Sequence, residues 1–201
     1  PYEAQEKYLN IILSETDRLT NLTSHLLELN SFNGDNVLLD ITTFNICETI
    51  VQTVNTLEGT AAKKEISFVL DYNTQKELLV EADESKIHQV LYNLIDNAVK
   101  FSHNNSEIKI SLRKKGAKVF VSVKDSGIGI PKESLNKVFD RFYKTDISRG
   151  KDKRGTGLGL SISKEIVQAH NQTINVVSTV DVGTEFVFTL KYHSKKQEAS
   201  S

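Results

Sequence analysis

Methionine is absent from the 201 residues, cysteine occurs once and proline only twice. One cysteine excludes an internal disulfide. Its setting, Asn45-Ile-Cys-Glu-Thr-Ile, reads as a buried helix face rather than a reactive thiol, and a reducing cytosol suits such a chain. No apolar run approaches the roughly 20 residues that cross a bilayer, and no signal-peptide pattern opens the chain. An excess of one charge is missing too, since 25 Lys and Arg against 26 Asp and Glu give a formal net charge of -1. The short basic run Lys151-Asp-Lys-Arg154 is too small for a general nucleic-acid or anionic-membrane surface, so any phosphate affinity must be local. A chain that opens on Pro1 and holds no methionine reads as an excised piece of a longer protein.

What is present is an ordinary globular composition, 38% hydrophobic and 25% charged, enough for one substantial core plus an appended element. From Glu3 to about Asn33, Leu9, Ile12, Leu19, Leu22, Leu26 and Leu29 recur at helical spacing. That predicts a long amphipathic helix with a coiled-coil-like seam, and the seam calls for a partner helix such as a second copy of the chain. Asn33-Gly34-Asp35-Asn36 marks a boundary. Residues 1–36 are therefore expected to form a partial helical domain and linker, 37–193 the main domain, and 194–201 a frayed tail.

Within the main domain, strands are expected at Val37–Thr43, Ile66–Leu70, Leu78–Ala82, Thr173–Ser178 and Glu185–Leu190, with a hairpin of Glu107–Arg113 and Lys118–Lys124. Helices are expected from a cap at Asn45 with Glu48 to about Lys63, from a cap at Asp83 over Glu84–Phe101, and from Leu158 to about His170. The pattern predicts an α+β fold, a two-layer α/β sandwich with a mixed sheet and helices on one face, preceded by the long helix.

Four clusters carry the chemistry. Asn93, Asn97 and Lys100 stand at i, i+4 and i+7 on one helical face, while Leu94, Ile95, Ala98 and Val99 take the buried positions. An amide oxygen such as that of Asn97 suits Mg2+, and Lys100 can meet a phosphate. A lone asparagine more often caps a turn or faces solvent, but a polar stripe bordering a buried helix favours the functional reading. Asp125-Ser-Gly127-Ile-Gly129 follows a strand, and a carboxylate there can accept the exocyclic amine of adenine. Guanine presents a carbonyl at that edge, a mismatch of about 1.5–3 kcal/mol.

The third cluster, Arg154-Gly155-Thr156-Gly157-Leu158-Gly159-Leu160, opens a helix, so its bare backbone and the helix dipole can face phosphates. It is neither a Walker A loop nor a dinucleotide fingerprint. Gly183-Thr184 closes the series. Between the second and third clusters, Val138-Phe139-Asp-Arg141-Phe142-Tyr143 offers apolar anchors for a mobile lid over about residues 133–154, or simply fills a satellite cluster.

In this order the clusters resemble the N, G1, F and G2 boxes of the catalytic ATP-binding domain of bacterial sensor histidine kinases. That domain belongs to the superfamily shared with type II topoisomerases, heat-shock chaperone ATPases and mismatch-repair ATPases. The match runs from about Val37 to Tyr192, and the first helix is similar to the second helix of the dimerisation and histidine-phosphotransfer hairpin. The resemblance implies a Bergerat-type fold with ATP and Mg2+ as cofactors. Asn97 would hold the metal with support from Asn93, and Lys100 would contact phosphate. Asp125 would read adenine, while Gly127 and Gly129 would shape its pocket. Phe142, Arg154, Gly155, Thr156, Gly157, Leu158, Gly159 and Leu160 would surround the nucleotide, with Thr184 near the base.

It also implies transfer of the γ-phosphoryl group to a histidine and then to a response regulator aspartate. A homodimer through the first helix, a cytoplasmic setting and a membrane-anchored parent protein follow from the same likeness. The family's acceptor box, a histidine followed by an acidic residue and shortly by Thr-Pro, matches none of His25, His88, His103, His170 and His193. The acceptor is therefore expected outside these residues, with His25 a packing or surface residue and His88 exposed. A standalone ATPase of the same superfamily and a non-catalytic nucleotide-sensing module are the alternative readings.

Overall fold

The computed structural model describes residues 2–31, 38–72, 77–145 and 155–194. The first element is the expected helix, α1 (Tyr2–Ser31). Many of its apolar side chains, among them Leu9, Ile12, Leu19 and Leu27, are exposed. The expected boundary at 33–36 lies outside the described residues.

The next strand, β1, is Thr42–Asn45 rather than Val37–Thr43. Val37 lies outside the described residues and Leu38 is 95% exposed. Pairing sets the limit, because β1 runs antiparallel to the four-residue β3 (Leu79–Ala82), in register from Thr42 opposite Ala82 to Asn45 opposite Leu79. Residues before Thr42 have no ladder to join, and that pairing turns Phe44 inward opposite Val80.

Asn45 caps α2 (Ile46–Ala62) as its sequence context demands. Its Oδ1 accepts from the amides of Cys47 (3.3 Å) and Leu78 (3.0 Å), and its Nδ2 donates to Glu48 Oε1 at 2.8 Å. One side chain thus satisfies a helix start and ties it to the entry of β3. Cys47 is buried, and burial pushes its thiol pKa up, consistent with a packing role. After α2 the chain turns at Glu65, which adopts φ 55° although exposed. Left-handed backbone is costly for a non-glycine residue, so Glu65→Gly is expected to stabilise the fold by roughly 0.5–1 kcal/mol in urea unfolding. A lowered midpoint would show that no strain resides there.

β2 (Ser67–Asp71) lies parallel to β4 (Glu107–Lys115), which forms a hairpin with β5 (Lys118–Lys124). At the end of β2, Asp71 meets Arg113 at 2.7 Å and Lys109 at 2.9 Å, and hydrogen bonds from these two cations bring its pKa down to about 2. Helix α3 (Glu84–Phe101) starts at Asp83, whose Oδ1 accepts from the Lys86 amide at 3.1 Å. His88 on this helix, expected to be exposed, is half-buried. Helix α4 (Gly159–Ala169) precedes β6 (Ile174–Thr179) and β7 (Gly183–Tyr192).

The sheet runs β1-β3-β7-β5-β4-β2, with β6 also paired to β7. Its mixture of one parallel and several antiparallel pairs matches the expected mixed sheet. Alternation decides its inner face: Val119, Val121 and Val123 of β5 are buried, as are Phe186, Phe188 and Leu190 of β7. They pack against Ile46 and Ile50 of α2, Leu91, Leu94 and Ile95 of α3, and Ile162 and Ile166 of α4 in one core. Leu22 of α1, half-buried, joins the edge of this core beside α4. Two layers with helices on one side follow, and the polar flank of α3 is left beside the glycine-rich loops.

Candidate functional site

Between α3, the loop after β5 and the start of α4 lies a cavity of about 480 Å³. Among its walls are Asn93, Asn97, Lys100, Asp125, Gly129, Gly155, Thr156, Gly157, Gly159, Leu160 and Thr184, residues far apart in the chain. Gly127, Phe142 and Leu158 do not line it. Arg154 and the lid segment 146–154 lie outside the described residues.

Asp125 is the best-defined group. It is 5% exposed, and its Oδ1 accepts from the amides of Gly127 (2.9 Å) and Thr184 (3.2 Å). Burial raises its pKa, and these two amides oppose the rise. Oδ2 takes no hydrogen bond among the described residues, so an acceptor on a cavity-lining residue is left for a ligand donor. Thr184 is in turn held by Ser178, whose Oγ lies 2.8 Å from the Thr184 hydroxyl and accepts from the Ile130 amide at 2.8 Å.

The glycines around this carboxylate serve close packing. A Cβ at Gly127 would stand 2.3 Å from the Phe101 carbonyl oxygen, and one at Gly183 (φ 136°) would stand 2.0 Å from the Asp125 carbonyl oxygen. Gly127 therefore seats the loop on the end of α3 from behind the cavity.

On α3, Asn97 lines the cavity and its amide has no hydrogen-bond partner among the described residues. Asn93 behaves differently. Its Nδ2 donates to the Gly159 carbonyl at 3.1 Å and to Ser163 Oγ at 3.3 Å, which fastens α3 to the first turn of α4. Lys100 pairs with Asp96 at 2.7 Å across one turn. Among the described residues no cluster of three His, Cys, Asp or Glu could chelate a metal alone. One neutral amide oxygen beside a glycine-rich loop instead fits Mg2+, which keeps most of its shell for water and phosphate oxygens. The start of α4 carries no side-chain cap, so its first-turn amides and dipole favour an anion in the cavity.

The lid region divides. Phe139 packs edge-on against Phe186, with ring centroids 6.1 Å apart, a contact that suits an anchor and a simple packing cluster alike. Phe142 is 55% exposed and adopts φ 63°; its amide, not its ring, engages the glycine loop by donating to the Gly157 carbonyl at 3.0 Å. Leu158 is fully buried in the core, which fixes the loop from below.

Sequence reasoning missed the apolar walls Phe101, Ile130 and Phe186 and the polar Gln89, Tyr92, Asp96, Lys144 and Thr145, while Ile128 and Val138 lay inside the quoted clusters without being assigned to the nucleotide. Gln89 could have been found, because it stands four residues before Asn93 on the same helical stripe. The apolar walls come from separate elements and had no local signal.

These features define a nucleotide-binding class of site. Residues 82–194 match the family described as Histidine kinase-, DNA gyrase B-, and HSP90-like ATPase, and the chain belongs to that family. Among individual proteins it is similar to the Sensor histidine kinase WalK of Bacillus subtilis, 36% identical over 194 residues, covering 96% of this chain and 31% of the relative. The chain thus spans about a third of the length of the curated relatives it matches. Among solved structures, full-length ShkA in complex with AMPPNP shares the fold, with a TM-score of 0.82 at 24% identity over 94% of this chain and 39% of that one. Histidine kinase ThkA in complex with the response regulator TrrA superposes with a TM-score of 0.74 at 33% identity, over 93% of this chain and 51% of that one.

Proposed function

We propose that this chain binds Mg-ATP and presents its γ-phosphoryl group to a histidine outside these residues, from which it passes to a response regulator aspartate. The carrying observation is the convergence of Asp125, Asn97, Lys100 and the Gly155–Gly159 loop on one cavity. Similarity to sensor kinases such as WalK, and to ThkA with its response regulator, supports the direction of transfer.

Asp125 accepts the adenine amine through Oδ2, and the apolar walls exclude water from the base. The uncapped start of α4 and Lys100 neutralise phosphate charge, with Lys100 leaving Asp96 to do so. Asn97 would hold Mg2+, with Asn93 in support as it braces α3 against the first turn of α4, and the bound ion would supply charge neutralisation at the triphosphate. The chain's own contribution is positioning and charge placement. Residues 1–36 form part of a dimerising helical domain, 37–193 the nucleotide domain and 194–201 a tail, in the cytoplasmic part of a membrane-anchored sensor.

The chain alone, incubated with labelled ATP, is expected to acquire no histidine-linked phosphate, whereas a supplied helical hairpin bearing the acceptor becomes labelled. Asn97→Ala is expected to slow that transfer by about a hundredfold or more. Unchanged transfer would remove metal coordination at Asn97 from the account. Nucleotide binding without any transfer would favour a sensing module instead.

A further inference from the structure

Lys64 lies in the turn after α2, far from the cavity walls in sequence and absent from them. Its ammonium group nevertheless donates to three carbonyls of the last turn and C-cap of α3: Val99 at 2.8 Å, Lys100 at 2.7 Å and Ser102 at 3.3 Å. Its own carbonyl accepts from the Asn105 amide at 3.0 Å. Main chain and side chain together staple α2's last turn to the exit of α3.

A helix end leaves its final carbonyls without partners, and a cation there is favoured by the dipole as well as by hydrogen bonding. Most such cations only stabilise. Here the clamped carbonyls bracket Phe101, whose own carbonyl accepts from the Ile128 amide at 3.2 Å. That same oxygen leaves no space for even a Cβ at Gly127. The Gly127 amide in turn donates to Asp125 Oδ1 at 2.9 Å. An unbroken set of short contacts therefore runs from the Lys64 ammonium, through the α3 exit, to the carboxylate in the cavity.

We propose that Lys64 is a positioning residue for base recognition: by clamping the carbonyls on either side of Phe101, it fixes the surface on which the Asp125–Gly129 loop is seated. Without the clamp the α3 exit frays, the loop loses its backstop, and Asp125 no longer presents Oδ2 at one fixed place. The effect falls on discrimination between bases more than on the grip on phosphates, because the Gly155–Gly159 loop leads into α4 and is tied to α3 through Asn93, about two turns before the clamped exit. This inference rests on the nucleotide reading above.

The test is calorimetric titration of the folded chain with ATP and with GTP, comparing wild type, Lys64→Met and Lys64→Arg. Lys64→Met keeps the stem length and removes the donors. It is expected to weaken ATP binding about tenfold and to narrow the ATP-to-GTP preference at least about threefold, while Lys64→Arg, which retains charge and donors, restores most of both. Should Lys64→Met not fold, Lys64→Gln is read in the same way. A lower melting temperature with the ATP-to-GTP preference unchanged would reduce Lys64 to a stabilising residue and overturn the proposal. A wild-type chain that binds neither nucleotide would overturn the nucleotide reading and this inference with it.

Discussion

Asp125→Asn is expected to weaken ATP binding by roughly 10- to 100-fold, the cost of losing a charge-assisted hydrogen bond, while improving GTP binding several-fold. The reason lies in the two amides already spent on this side chain. Gly127 and Thr184 both donate to Oδ1, so the asparagine must keep its oxygen there and place its NH2 where Oδ2 was. That NH2 opposes the amine of adenine, donor against donor, but suits the carbonyl of guanine. Flipping the amide would only move the conflict to the two backbone donors. The variant should also be no less stable than wild type, since burial already disfavours the ionised carboxylate. Separate titrations with the two nucleotides, alongside thermal melts, check this; equal weakening for both would mean that Asp125 acts on the pocket's shape and not on the base.

Gly183→Ala should be the more disruptive change. The added Cβ would stand 2.0 Å from the Asp125 carbonyl oxygen and 3.0 Å from Ser126 Cα, at φ 136°. Both neighbours are backbone, so no flexible side chain can yield. To admit the methyl group, β7 must draw away from the end of β5, breaking the bond from the Asp125 amide to the Thr184 carbonyl (2.8 Å) and that from the Thr184 amide to Asp125 Oδ1. We expect a loss of about 3–5 kcal/mol in urea unfolding, with ATP binding abolished at concentrations that saturate wild type. Gly59→Ala is the matching control, because nothing lies within 4 Å of its added Cβ. A Gly183→Ala chain of normal stability would show that β7 and the Asp125 loop are less tightly docked than their hydrogen bonds indicate.

The parts of this fold that were legible in the sequence are those whose signal is local. Asp83 before a 3.6-residue apolar period gave the start of α3 at Glu84 and an end close to Phe101, and the Asn45–Glu48 pair gave the start of α2. The alternation in β4 and β5 likewise gave a hairpin with one buried face. β1 was displaced because Val37-Leu-Leu is apolar enough to read as a strand, whereas the ladder is set by where the short β3 ends. The parallel pairing of β2 with β4 had no local sign at all.

The site follows the same division. Residues whose side chains or bare amides must face a ligand were recognisable as clusters, and most of them do meet at the cavity. Within a cluster, however, neighbouring residues point in opposite directions. Leu158 sits between two lining glycines yet belongs to the core, and Phe142 precedes the lining Tyr143 yet turns outward. Lys64 escaped notice because its partners are carbonyls about 35 residues away, and backbone acceptors leave no trace in side-chain patterns.

The central claim is that these separate segments assemble one magnesium-dependent adenine nucleotide site. Calorimetric titration of the wild-type chain with ATP, first with Mg2+ and then after chelation, tests it most directly. One saturable site per chain, weakened about tenfold or more by chelation, is the predicted result. Absence of heat at millimolar ATP, or binding indifferent to both magnesium and the identity of the base, would contradict it.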